Sequence, residues 1–318
     1  MTFEYSQWPA RWGPPLSAAI QLATILAVAR TALHQGALGA LLLGAPIVIA
    51  LAVVARNAKR RWTSGFPIHR TRSTNLEARR GTPLIWLVAH VDSKSQTIPM
   101  LVRIASSIGL ALAMAVSGLV VLISLATGAK PSQLWEWISA FSVLTALPSI
   151  FCWVRNRSNG ALDNATGVSA VLLAAKSLPA TQSLGVLVTS GEELGLAGAR
   201  EWARSAQTDL LVVNCDTVDD QGGWRLMHTG KKPGRLTSAG ETSATRLGFK
   251  LSIGRLIPGI LADSVAFADR GLAAVTLSRG TLSTLARIHT RRDNSTALSG
   301  KGVAEASRFL STLVTELG

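Results

Sequence analysis

The stretch Leu184-Gly185-Val186-Leu187-Val188-Thr189-Ser190-Gly191-Glu192-Glu193-Leu194-Gly195-Leu196-Ala197-Gly198-Ala199 decides the fold. Its first six residues read as a buried strand. Two adjacent carboxylates, Glu192 and Glu193, follow at once, and helical spacing then runs from Leu194 to Ala206. Acids in a first helical turn are favoured by the helix dipole. That alone leaves Gly191, Gly195 and Gly198 unexplained; glycines around two acids suggest backbone packed tightly at a site.

Outward from this stretch, strand and helix alternate. Leu84 to Ala89 is an unbroken apolar run suited to a strand buried on both faces. Leu210 to Cys215, Trp224 to His228 and Ala273 to Leu277 read as further strands, while Gly167 to Leu178 and the amphipathic Lys301 to Leu317 read as helices. Strands alternating with helices imply a layered α/β domain around a largely parallel sheet.

Residues of metal-ligand type stand at the ends of these segments. His90 closes the first strand, in Ala89-His90-Val91-Asp92-Ser93. In a His-x-Asp arrangement the imidazole can bind a metal while the carboxylate orients it. Asp163 lies in Gly160-Ala161-Leu162-Asp163-Asn164-Ala165-Thr166-Gly167, directly before a helix, where it could equally serve as an N-cap. Asp216 ends a strand, and His289 lies in Ile288-His289-Thr290-Arg291-Arg292-Asp293-Asn294. Any one of them has an ordinary structural explanation. Together, two histidines and three carboxylates (Asp163, Glu193, Asp216) suit a pair of divalent ions sharing one bridging oxygen ligand, with Glu192 left over as a proton carrier. The other histidines, His34, His69 and His228, read as structural or surface residues.

Composition adds a second theme. Apolar residues make up 48% of the 318, more than an ordinary soluble enzyme carries. Leu16–Ala29, extended back through Trp12, and Ala37–Ala55 read as one membrane hairpin turning near Arg30 to Gly36. Ile104–Thr127 and Leu134–Val154 read as another, with Trp135 and Trp137 at one interface and Trp153 near the other. The net charge of +14 is concentrated beside these spans, in Arg56, Lys59, Arg60, Arg61, Arg70, Arg72, Arg79 and Arg80, so anionic lipid is the expected partner and nucleic acid is not. The basic residues share one side of the membrane, which by that bias is the cytoplasmic side and carries the chemistry. The protein is thus expected to be integral to a membrane, the inner membrane if bacterial. Cys152 and Cys215 offer no disulfide framework. The expected divisions are 1–58 for the first hairpin, 59–103 for a basic linker and the start of the catalytic domain, 104–154 for the inserted hairpin, and 155–318 for the remainder.

From Leu84 to the C-terminus the chain resembles the co-catalytic di-zinc aminopeptidases, the group that includes aminopeptidase Y, glutamate carboxypeptidase and the glutaminyl cyclases. The blocks His-x-Asp-Ser, Gly-Ala-x-Asp-Asn-Ala-Thr-Gly, Gly-Glu-Glu-x-Gly-Leu-x-Gly and His-Thr-x-x-Asp occur in family order. The resemblance implies a three-layer α/β/α sandwich with a mixed sheet. It also implies Asp163 as the bridging ligand of two Zn2+ ions, Glu193 and His289 completing one and His90 and Asp216 the other. Glu192 would be the general base and Asp92 the partner that orients His90. Manganese or cobalt could substitute for zinc. The implied substrate is a peptide with a free N-terminus; the oligomeric state is open.

The chain departs from the family at two places. In Ala262-Asp263-Ser264-Val265-Ala266-Phe267, Ser264 stands where the family has histidine, which bears on substrate contacts. The second departure is the apolar hairpin between His90 and Asp163. Arg155 to Leu162 reaches at most about 28 Å when extended, so the metals are expected close to the bilayer surface. Two other readings use the same pattern: a glutaminyl cyclase, in which an amine within the substrate replaces water as nucleophile, and a non-catalytic membrane receptor or scaffold.

Overall fold

Side chains alternate along a strand, and in Ile85–His90 all six are buried. Ile85, Leu87 and Ala89 enter one apolar cluster with Ala170, Val171, Phe309 and Leu310; Trp86 and Val88 enter another with Leu196, Trp202 and Phe267. Such a strand needs a helix layer on each face. The structure, a computed structural model, describes residues 1–61, 68–257 and 260–318, with the side chains of 54–61 excepted.

Among the described residues, Ile85–His90 lies inside a seven-stranded sheet. Its order is Leu251–Arg255, Gly223–His228, Ala273–Gly280, Leu211–Val218, Ile85–His90, Leu184–Thr189 and Leu76–Arg80. The four strands from Ala273–Gly280 to Leu184–Thr189 are mutually parallel. Gly223–His228 and Leu76–Arg80 run antiparallel to their neighbours within that group. Helices Thr166–Ser177, Gly234–Leu247 and Lys301–Leu317 cover one face, and Ala197–Ala203 and Asp263–Ala268 the other. This is the expected three-layer α/β/α sandwich with a mixed, largely parallel sheet.

The helix expected over Leu194–Ala206 is shorter, Ala197–Ala203. The carbonyl of Glu192 takes the N–H groups of Gly195 and Leu196 at 3.0 and 2.8 Å. Gly195 (φ 111°) and Leu196 (φ 60°) then hold the chain in a left-handed turn before the helix begins. Part of the basic run also lies elsewhere than in a linker. Arg70–Thr74 pairs with Thr2–Ser6, and Arg70 and Arg72 meet Glu4 at 3.4 and 3.0 Å. Arg80 donates to the carbonyls of Ala175 and Pro179 at 3.0 and 2.7 Å, closing the end of the Thr166–Ser177 helix. The side chains of Arg56, Lys59, Arg60 and Arg61 lie outside the described residues.

The chain divides into two compact units: Met1–Gln7 with His69–Ser95 and Arg155–Gly318, and Trp8–Ile68 with Gln96–Val154. The first holds the sheet. The second is helical. Its first helix, Trp8–Arg61, is broken at Gly36 (φ 85°, ψ 176°). A Cβ placed on Gly44 would lie 3.0 Å from Val28 Cγ2, a contact between residues equidistant from Gly36, so the chain doubles back there. Met100–Thr127 and Ser132–Ile150 follow, separated by a left-handed Gly128. Ile25, Val28, Leu110, Val121, Trp135 and Ile138 form the core of this unit.

Four spans were expected; among the described residues, two helices are long and apolar enough to cross a membrane, Trp8–Val53 and Met100–Thr127. The first contains Leu16–Ala29 and Ala37–Ala55 as far as Val53. The helix Ser132–Ile150 has 19 residues and carries Gln133, Glu136 and Pro148 among its apolar residues. Trp135 and Trp137, the pair expected at one interface, both lie near the start of Ser132–Ile150; Trp135 is 2% exposed and Trp137 68%. Two residues on a helix are about 200° apart, so they face opposite ways.

Candidate metal centre

Parallel strands deliver their carboxyl ends to one edge of the sheet. His90 is the last residue of its strand and pairs with Thr189, the last of the next. Beyond Thr189 the chain turns through Glu192 and Glu193. Asp216 lies near the end of Leu211–Val218. Asp163 sits in the irregular turn Ala161–Ala165, and His289 follows the short helix Leu282–Arg287 with φ 60°. All six side chains are largely buried.

Asp163 does not cap the helix that follows it. The N-cap is Ala165, and Asn164 before it reaches the first turn: its Oδ1 accepts the N–H groups of Gly167 and Thr217, both at 3.1 Å, and its amide donates to the Cys215 carbonyl at 2.9 Å. The Asp163 carboxylate is left facing two imidazoles: Oδ1 is 3.1 Å from His90 Nε2, and Oδ2 is 3.0 Å from His289 Nε2. His90 Nε2 also lies 3.7 Å from Asp216 Oδ1, and His289 Nε2 lies 3.1 Å from Glu193 Oε2. Two clusters result, His90 with Glu192 and Asp216, and Asp163 with Glu193 and His289, each offering ligand atoms within 4.8 Å of one another. Glu192 therefore belongs geometrically with His90 and Asp216.

His90 is held in a ligand-ready tautomer. Its Nδ1 is 3.0 Å from the carbonyl oxygen of Asp92. A carbonyl only accepts, so Nδ1 carries the proton and Nε2 turns a lone pair to the carboxylates. That Nε2 is buried and makes no hydrogen bond. The Asp92 carboxylate, 3.9 Å from Nδ1, is engaged elsewhere: it accepts the N–H groups of Glu192 and Glu193 at 3.1 and 3.2 Å. Asp92 thus orients the imidazole with its main chain and the two acids with its side chain.

The electrostatics of this cluster call for a cation. Burial pushes the Glu192 carboxyl well above its ordinary range; His90 opposes this, and Glu193 and Asp216 add to it. Asp163 is driven the other way, its burial outweighed by the two imidazoles. Burial also raises Asp263, behind the site, to about 7. Four carboxylates buried beside two imidazoles outnumber the positive charges the histidines can carry, and unmatched charge is expensive away from water unless compensated. Divalent cations would supply that compensation, and nitrogen and oxygen donors in this ratio suit zinc.

Three further residues shape the site and were not read from the sequence. Asp293, fully buried, accepts the N–H groups of Leu162 and Asp163. Lys94 Nζ lies 2.8 Å from Glu193 Oε2 and donates to the Glu193 carbonyl at 3.0 Å. Asn75 bonds both Ser190 and Gly198, bracing the Glu192–Glu193 turn. Only Asp293 carried a signal, as the last residue of the His-Thr-x-x-Asp block. Ser264 is buried and accepts a hydrogen bond from Thr276 at 2.6 Å, so it is tied to the sheet.

Residues 74–314 match the profile of peptidase family M28. The chain belongs to that family. Among solved structures, this M28 chain is similar to an aminopeptidase from Aneurinibacillus sp. strain AM-1, with 17% identity, a TM-score of 0.52, and coverage of 78% of this chain and 48% of the other. It is also similar to BSAP, a zinc aminopeptidase from Bacillus subtilis, with 17% identity, a TM-score of 0.50, and coverage of 80% and 52%. These likenesses establish the fold; the M28 chain spans about half the length of each structure. No curated protein matches it significantly in sequence.

Proposed function

We propose that the chain is a membrane-anchored two-zinc aminopeptidase. One observation carries the reading: the two oxygens of Asp163 face His90 on one side and His289 on the other, as a carboxylate bridging two ions must. His90, Asp163 and Asp216 would hold one ion, and Asp163, Glu193 and His289 the other; manganese or cobalt would also suit so carboxylate-rich a set. When bound, the ions would lower the pKa of a water and polarise a scissile carbonyl. Glu192, outside this ligand set but within reach of it, would accept the proton of the attacking water on its carboxylate and return it to the leaving amine. Asp92 would keep His90 in the correct tautomer and hold the Glu192 backbone in place.

Anchoring is supported by the helical unit. Leu38, Leu42, Leu112, Leu119, Leu122 and Leu144 are each more than half exposed there. So much outward leucine suits acyl chains better than water. Along the sequence, Arg103, Arg155 and Arg157 stand at the helix ends that join the sheet segments, whereas the turns within each hairpin offer Arg30 and Lys130. The catalytic side would therefore be cytoplasmic, with the basic stretch near residue 60 meeting anionic lipid.

The test is mass spectrometry of a mixed pool of peptides with free N-termini, incubated with detergent-purified, zinc-loaded protein or its Glu192→Gln variant. Stepwise loss of N-terminal residues in the wild type alone is expected. Ammonia release without shortening would replace the peptidase with a cyclase. Unchanged peptides together with no bound metal would replace it with a scaffold.

A further inference from the structure

Hydroxyls inside an apolar helix usually bond the carbonyl one turn earlier, and the helical unit shows this repeatedly. Thr24, Ser107, Ser117, Ser142 and Thr145 each donate to the carbonyl four residues before. Ser124 differs. It is 8% exposed, its Oγ is buried without a hydrogen-bond partner, and it lines a cavity of about 200 Å3.

The rest of the cavity explains what that hydroxyl could hold. Gly36 and Ala37 line it, and a helical segment starts after Gly36. Lys130 and Pro131, which precede the helix Ser132–Ile150, line it too; the Ser132 N–H is itself taken by the Lys130 carbonyl at 2.9 Å. First-turn N–H groups lack acceptors within their own helix and carry partial positive charge, so a helix start attracts anions. One such start, a lysine and a buried hydroxyl donor converge here. Among the described residues no acidic side chain lines the cavity. The remaining wall is apolar, and Leu38 and Leu125 stand 60% and 40% exposed around it.

We propose that this cavity binds the phosphodiester of an anionic phospholipid, with Ser124 and the helix start at Ala37 donating to the phosphate oxygens and Lys130 supplying the counter-charge. The exposed leucines point to a lipid rather than free phosphate, because acyl chains would cover them. The lipid source rests on the membrane reading given above; the phosphate chemistry does not. This site lies at the turns of the helical unit.

The experiment is native mass spectrometry of the full chain in dodecyl maltoside micelles, titrated with dioleoyl phosphatidylglycerol or with inorganic phosphate. One tight phosphatidylglycerol adduct per chain is expected, weakened about tenfold by Lys130→Gln, the loss of one charge-assisted hydrogen bond. Ser124→Ala is expected to weaken it about threefold. Lys130 is exposed in a turn, so its replacement leaves the packing intact. Equal binding by the wild type and both variants would overturn the proposal. Binding of inorganic phosphate in preference to phosphatidylglycerol, with the same sensitivity to Lys130→Gln, would overturn the lipid source. Alkaline carbonate extraction of membranes is scored beside it: a chain released by carbonate defeats the membrane reading and the lipid with it.

Discussion

Asp293 Oδ1 accepts the backbone N–H of Leu162 at 2.6 Å, across 131 positions of sequence. Its Oδ2 takes the next N–H, that of Asp163, at 3.3 Å. One buried carboxylate therefore ties the turn that presents Asp163 to the segment that presents His289. Asp293→Ala would leave two buried donors unsatisfied. The expected loss is about 1–3 kcal/mol for each unpaired group in the free energy of unfolding, with zinc affinity falling about 10–100-fold. Chemical denaturation and a zinc competition titration measure the two effects. Unchanged zinc affinity would show that the turn keeps its shape without the tie.

Removal of metal should destabilise the fold. Asp163, Glu192, Glu193 and Asp216 are buried side by side, and an ion that binds the native state alone stabilises it by mass action. At a free zinc concentration of about 1,000 times Kd the gain is about 4 kcal/mol per site. Calorimetry is expected to show a lower Tm in chelator and recovery when zinc is restored. The same Tm in both conditions would count against any bound ion.

Gly198 tests the brace on the Glu192–Glu193 turn. A Cβ there would lie 2.2 Å from Asn75 Oδ1 and 2.5 Å from the Ser190 carbonyl oxygen. Gly198→Ala is therefore expected to push Asn75 from its bonds to Ser190 and Gly198, costing about 1–3 kcal/mol. The turn should shift with it, so zinc retained through gel filtration should fall in parallel. Full zinc retention at reduced stability would separate the brace from the site.

Acid stability should depend on Asp220. Burial raises its pKa, but the N–H groups of Gly302 and Ser299 and the Ser299 hydroxyl outweigh this and hold it below the ordinary value of 3.8. The unfolded chain then binds the proton first, so the contribution is present above about pH 4 and is lost as pH falls through the native pKa. Asp220 accepts from Gly302 at 2.8 Å in the first turn of Lys301–Leu317. Asp220→Ala is expected to cost about 1 kcal/mol at neutral pH as a lost cap. Asp220→Asn should flatten the fall in stability below pH 4, as followed by circular dichroism.

The strand Leu184–Thr189 and the helix Lys301–Leu317 can be read residue for residue, because burial on both faces and a clean amphipathic period each leave a local pattern. Leu76–Arg80 cannot: Glu77, Arg79 and Arg80 make it look like a linker, and its place at the sheet edge comes from pairing with Leu184–Thr189. The six acids and histidines of the site can be picked out because each ends a segment. Most of their supports cannot, Asp92 of the His-x-Asp block excepted. Asp293 closes the His-Thr-x-x-Asp block, but its stretch is polar and its burial follows from a partner 131 positions away. Lys94 is one more cation in a basic chain until the fold sets it against Glu193. The extent of the Ala197–Ala203 helix escapes for a related reason, since the left-handed turn before it depends on bonds to the Glu192 carbonyl.

The strand Ile85–His90 is flanked on both sides by strands that begin only at Leu184 and Leu211. Between them in the sequence come the two helices of Met100–Ile150. On a translating ribosome this strand is therefore made first and must wait, apolar and unpaired, while both helices emerge and find their place. Long-range parallel pairing is slow to form and leaves sticky intermediates. The waiting strand makes assembly of this chain dependent on whatever shields a nascent edge, so shortage of that protection should lower its yield before it lowers its activity.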